Sequence, residues 1–178
     1  IQGTRSLGDN TWRFAVGCIE PSNADLKATG FISNFHLANT ALYTSNFTPN
    51  TSPIVAGPNT RLLTCQSNYI KDNSTANSGS GWGITVGGTP SVNPHSPFAP
   101  NSVYSTANTG GSTYLDGSGD YVTIASGTDF NLGTSDFSME YWYYLTAYGS
   151  YAPGIFCKRT GGVATGWAML TSGIVCLV

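Results

Sequence analysis

Phe137-Ser138-Met139-Glu140-Tyr141-Trp142-Tyr143-Tyr144-Leu145-Thr146 decides how this chain folds. Taken with a period of two, Phe137, Met139, Tyr141, Tyr143 and Leu145 fall on one face. Ser138, Glu140, Trp142, Tyr144 and Thr146 fall on the other. An apolar face opposite a polar-aromatic face suits a strand with one side on a second sheet and the other towards solvent or a ligand. A helix suits it less, because aromatics at 137, 141, 142, 143 and 144 would surround the axis and lose rotamer freedom there. The segment reads as the central strand of a β-sandwich.

The same pattern repeats outward from this stretch. Ser112–Asp116 and Tyr121–Ala125 flank a Gly117-Ser118-Gly119-Asp120 turn, and apolar runs follow at Gly154–Arg159, Gly166–Leu170 and Ile174–Val178. Towards the N-terminus, Trp12–Cys18, Phe31–Ala38 and Arg61–Gln66 have strand character, with a loop at Pro21–Asp25 and a short apolar Ala41-Leu42-Tyr43. In Phe31–Ala38, alternation places Phe31, Ser33, Phe35 and Leu37 on one face and Ile32, Asn34, His36 and Ala38 on the other. Gly- and Asn-containing turns separate the runs, and no strong helical pattern occurs. The expected class is all-β, an antiparallel β-sandwich.

Composition narrows the function. Only 9% of the 178 residues are charged, against 12% aromatic, which suits a turn-rich β protein rather than a disordered chain. The net charge is −2, and four Arg and three Lys stand singly, so no basic stripe exists to neutralise phosphates and nucleic-acid binding is not expected. No apolar run approaches the ~20 residues of a membrane-spanning helix, and no membrane insertion is expected. The chain begins at Ile1 and ends within the strand-like Ile174–Val178, as a processed or partial segment would. Cys18, Cys65, Cys157 and Cys176 lie far apart among apolar residues, so they read as buried thiols rather than zinc ligands, with disulfides the alternative outside a reducing compartment. The sequons at Asn46, Asn50 and Asn73 read as chance in a chain rich in Asn, Ser and Thr.

Tyr114-Leu115-Asp116-Gly117-Ser118-Gly119-Asp120-Tyr121-Val122-Thr123-Ile124, then Asp129-Phe130-Asn131-Leu132-Gly133 and Asp136–Trp142, resembles the opening of a laminin-G-like (concanavalin A-like) jelly roll. The likeness is to the versions in tail and fibre proteins of marine bacteriophages. Thr29–Leu37, Ala41–Pro49 and Leu62–Gln66 resemble the close of the same domain type. The resemblance implies closing strands in residues 1–70, an Asn/Ser/Gly/Pro-rich connector in 71–111 and opening strands in 112–178. This reversed order admits parts of two tandem jelly rolls, one permuted jelly roll, or halves completed by neighbouring chains. Some partner for each half is required, since an incomplete sandwich exposes a long apolar edge.

The resemblance, with the weak charge and turn-rich composition, implies a non-enzymatic structural or adhesive module of a phage virion: fibre, spike or decoration. Its expected location is the virion, its partners other virion subunits in a homo-oligomer, and its ligand a host cell-surface glycan. A secreted, extracellular carbohydrate-binding or adhesive domain of a cell is the competing reading. A polysaccharide hydrolase is the third, and it needs two carboxylates across the scissile bond. The only glutamates are Glu20 and Glu140, and Asp129 and Asp136 sit in the loop before the strand. His36 and His95 are the only histidines, and hydroxyl–imidazole catalysis would need one oriented by a carboxylate. Glu140, Trp142 and Tyr144, sharing one strand face, are the candidate ligand-binding set, an aromatic platform with a hydroxyl acceptor. The alternative is that Trp142 packs inside and Glu140 bonds a neighbouring strand. Asp116 and Asp120 are a candidate calcium pair, although calcium needs six to eight oxygens and two aspartates in a hairpin usually only shape the turn. No other cofactor is expected.

Overall fold

The computed structural model describes residues 13–18, 27–98, 110–125, 127–147, 154–159, 166–170 and 173–177. Glu20, the loop at 21–25 and residues 99–109 of the expected connector lie outside them. In chain order the strands are β1 (Arg13–Val16), β2 (Thr29–Ala38), β3 (Thr60–Thr64), β4 (Ile84–Gly87), β5 (Ser91–Asn93) and β6 (Ser112–Asp116). There follow β7 (Tyr121–Ile124), β8 (Ser138–Leu145), β9 (Gly154–Arg159), β10 (Gly166–Leu170) and β11 (Gly173–Leu177). Helical structure among the described residues is confined to one 3₁₀ turn at Thr128–Phe130.

Two antiparallel sheets face each other as a sandwich. One has the order β11-β10-β9-β1-β7-β4. In the other, β2 pairs along one edge with β8, and along its opposite edge with β6 at residues 29–32 and with β3 at residues 35–38. Strands from both ends of the chain therefore alternate within each sheet. β1 lies between β7 and β9, and β2 lies between β8 and β6. Among the described residues, strands of both halves pair within one chain, and β3 and β6 lie end to end along the same edge of β2 rather than beside each other. The stretch 71–111, expected to connect, supplies β4 against β7 and β5 against β6.

Phenylalanines hold the layers together. Phe14 of β1 stacks on Phe130 (5.3 Å between centroids) and meets Phe35 of β2 edge-on at 5.8 Å. Phe156 of β9 meets Phe35 at 5.1 Å and Tyr141 of β8 at 5.7 Å. Offset and edge-to-face contacts of this kind add to the stabilisation from burying the rings. Lys158 points inward from β9, where its Nζ donates to the Phe130 carbonyl (2.7 Å) and Asn131 Oδ1 (2.9 Å) at the end of the 3₁₀ turn. Cys18, Cys65 and Cys157 are buried thiols, and burial pushes Cys65 up to about 11; the Cys176 side chain lies outside the described set.

Two expectations are corrected. The segment at Phe137 forms a strand with the expected alternation, Phe137, Met139 and Tyr141 packing on the core. Among the described residues it is an edge strand, however, and β2 is the central one. A long polar-aromatic outer face tolerates an edge, whereas β2 is buried nearly throughout. Alternation along β2 also breaks. Ile32, Phe35 and Leu37 face the core, while Phe31 and His36 face outward. Opposite β8, Ser33 pairs with Trp142 and His36 with Glu140, so β2 carries one extra residue there. Asn34, at φ +53°, takes up this bulge in the left-handed region, which Asn tolerates better than branched residues.

Phe35 sits where both sheets meet, so Phe35→Ala is expected to cost about 3–5 kcal/mol in a urea unfolding titration, and Phe31→Ala clearly less. The buried thiols at 18, 65 and 157 are expected to resist a maleimide reagent in the native protein and to react once it is unfolded.

Candidate functional site

The outer face of the β2/β8 sheet carries two arrangements side by side. At one end the register sets Tyr114 (β6), Phe31 (β2) and Tyr144 (β8) in a row across the strands. Phe31 lies 5.0 Å from Tyr114 and 6.3 Å from Tyr144. His95, just beyond β5, sits 5.4 Å from Phe31 and 6.2 Å from Tyr144. One step along β8, Trp142 takes an edge-on contact from Phe98 at 5.6 Å. Trp142 is 36% exposed and Tyr144 62%. Rings this open on a sheet surface offer area for stacking.

At the other end the bulge turns His36 towards Glu140. Its Nδ1 lies 2.6 Å from Glu140 Oε1 and its Nε2 2.9 Å from Thr60 Oγ1. Tyr43 OH donates to Glu140 Oε2 at 2.5 Å, and the Gly57 N–H donates to Thr60 Oγ1 at 2.9 Å. The carboxylate accepts from Nδ1–H, and the direction of the Nε2–Thr60 bond follows the tautomer. The segment between β2 and β3 is thereby pinned onto the outer face. Leu42 N–H to Ser138 Oγ (2.8 Å) and Ile54 N–H to Asn34 Oδ1 (2.9 Å) pin it further. Burial pushes the Glu140 carboxyl up, but the hydrogen bonds from His36 and Tyr43 and the His36 charge outweigh it and hold the group below the usual range. The same bond, with burial and the carboxylate charge, pushes Tyr43 up to about 12.

The order hydroxyl–imidazole–carboxylate is that of a nucleophilic triad. Thr60 is only 3% exposed and its oxygen already receives the Gly57 N–H, so an acyl carbon has no approach to it. The arrangement acts as a clamp on the overlying segment.

Of the expected site residues, Glu140, Trp142 and Tyr144 do share the outer face. Trp142 points away from the core, contrary to the alternative, whereas Glu140 does bond a neighbouring strand. The turn aspartates hold backbone. Asp120 is fully buried, its Oδ2 accepting the Asp116 N–H at 3.0 Å and its Oδ1 the Thr89 N–H. Asp116 Oδ1 accepts the Ser118 N–H at 2.6 Å. Among the described residues no group of three or more His, Cys, Asp or Glu side chains is placed to hold a metal. The sequence singles out His36 and His95 only as histidines that catalysis would need, and it does not mark Phe31, Tyr114 and Phe98 of the platform or Tyr43 of the clamp as site residues. Tyr114 was within reach, since Leu115 beside it is plainly apolar and alternation turns Tyr114 outward.

Comparison with protein-family models, with curated proteins and with solved structures finds no match.

The pH dependence of the clamp follows from its two shifted groups. A carboxyl held below its ordinary 4.5 stabilises the fold above that pH and loses the contribution as pH falls through its folded value. A phenol raised from 10.0 to about 12 stabilises below pH 10 and loses the contribution as pH rises towards 12. Melting temperature against pH should fall at both limbs, with Glu140→Gln flattening the acid limb and Tyr43→Phe the alkaline one.

Proposed function

We propose that this chain is a non-enzymatic attachment module that binds carbohydrate on the outer face of its β2/β8 sheet. The observation that carries the reading is the exposed pair Trp142 and Tyr144, set beside Phe31, Tyr114 and His95 in one aromatic surface. The C–H faces of pyranose rings stack on such surfaces, and ring edges with imidazole and phenol groups supply hydrogen bonds to hydroxyls. The platform's low charge favours neutral sugars over sulfated or phosphorylated ones.

The resemblance to laminin-G-like jelly rolls of phage tail and fibre proteins supports a setting in a virion fibre, spike or decoration, with a host-surface glycan as ligand. Hydrolysis is disfavoured by the state of Glu140. Both its oxygens carry hydrogen bonds within the fold, and its carboxyl is held low, whereas a general acid must keep its proton near neutral pH.

A glycan array followed by calorimetry on the best binder tests the reading. Trp142→Ala and Tyr144→Ala are each expected to weaken binding about tenfold or more, equivalent to about 1.4 kcal/mol, with melting temperature little changed. An array without a binder, or variants that bind as the parent does, would contradict it and leave a scaffolding role.

A further inference from the structure

The edges of the β2/β8 sheet are treated unequally. On β3 the outward Leu63 N–H donates to Asp72 Oδ1 (3.0 Å) and the Leu63 carbonyl accepts the Asn73 N–H (2.7 Å), so the loop after the strand closes that edge. Asp72 also accepts from the Ser74 N–H and hydroxyl and from the Trp82 N–H, each at 2.8 Å, which fixes the covering loop. β5 is only three residues long. β8 runs for eight residues, and among the described residues it pairs with β2 alone. It contains no Lys, Arg or Pro, its one charged residue, Glu140, is tied up by His36 and Tyr43, and the bulge in this pairing lies in β2, so among the described residues the edge carries neither a free charge, a proline nor a bulge of its own.

The polarity of the bare edge follows from one bond. Thr146 N–H donates to the Thr29 carbonyl, so the amides of the even-numbered residues face β2 and those of Tyr141, Tyr143 and Leu145 face away. Tyr143 has the core-facing parity of Tyr141 yet is 46% exposed, as a residue at an uncovered lip would be.

We propose that β8 pairs antiparallel with β8 of a second copy of this chain, about a two-fold axis through Trp142. Outward amides bond outward carbonyls only when odd-numbered residues oppose odd-numbered ones, and this axis meets that condition over Met139–Leu145. Tyr141 then lies opposite the second copy's Tyr143, covering the exposed lip, and Met139 opposite its Leu145. Glu140 faces the second copy's Tyr144. An axis through Glu140 would instead set two carboxylates against each other. Two-fold pairing joins the two sheets into one and brings both aromatic platforms onto a single surface, in the commonest symmetry of homo-oligomers. The pairing rests on the edge alone and stands or falls independently of the glycan reading.

Sedimentation equilibrium without any glycan tests it. The parent chain is expected to show twice its monomer mass at high micromolar concentration. Tyr143→Pro removes an amide that faces away from β2 and is expected to give a monomer, as is Tyr143→Lys if the proline variant fails to fold. Tyr114→Ala, on the platform but across β2 from the β8 edge, is expected to remain dimeric. Under mild oxidation Trp142→Cys is expected to crosslink, because residues on the axis in a non-hydrogen-bonded pair lie about 4.5 Å apart at Cα. A monomeric parent, which would leave the edge to a strand of a different protein, overturns the proposal. So does a dimer that survives both Tyr143 substitutions, or a crosslink formed by Tyr144→Cys and not by Trp142→Cys.

Discussion

One extra residue in β2 sets the arrangement of both faces of its sheet. Asn34 accepts a left-handed backbone and is fully buried. Its amide N–H donates to the Cys65 carbonyl, its Nδ2 to Ser33 Oγ, and its Oδ1 accepts the Ile54 N–H. These bonds offset the cost of burying a polar side chain in a strained conformation. Because the side-chain period of a strand is two, one inserted residue reverses every face beyond it. Phe31 thus serves the outer platform and Phe35, four residues on, the inter-sheet core. His36 is delivered to Glu140 as a result.

The two ends of the outer face then differ for a physical reason. Where the segment between β2 and β3 is clamped by Tyr43, Glu140, His36 and Thr60, polar groups satisfy one another and little is left for a ligand. At the other end only His95 and Phe98 among the described residues approach the rings, and Trp142 and Tyr144 stay open. The close approach of β8 to β2 also depends on Gly30, since a Cβ there would run into the Tyr144 carbonyl. Binding surface and strand pairing share that backbone contact.

Much of this was legible in the residues. Alternation in Phe137–Leu145 identified the strand and its two faces, and turn residues identified an all-β chain. Position within the sheet was not legible, because pairing partners distant in sequence leave no local mark and an edge strand can be as aromatic as a central one. The bulge was hidden because Ser33-Asn34 reads equally well as continuous strand. That concealed the outward turn of His36, and with it the partner of Glu140. Pro-rich residues 90–98 hid β5, since three residues carry too little pattern to stand out. The Asp116–Asp120 turn was recognisable as a turn, while the backbone amides that occupy its carboxylates come from its fold and from Thr89, remote in sequence.

The reversal at Asn34 is open to direct observation by nuclear Overhauser contacts between assigned aromatic rings. Phe35 is expected to contact Phe14 and Phe156, and Phe31 to contact Tyr114 and Tyr144, with no neighbour in common. Rings of Phe31 and Phe35 sharing the same neighbours, as a regular strand requires, would contradict the account.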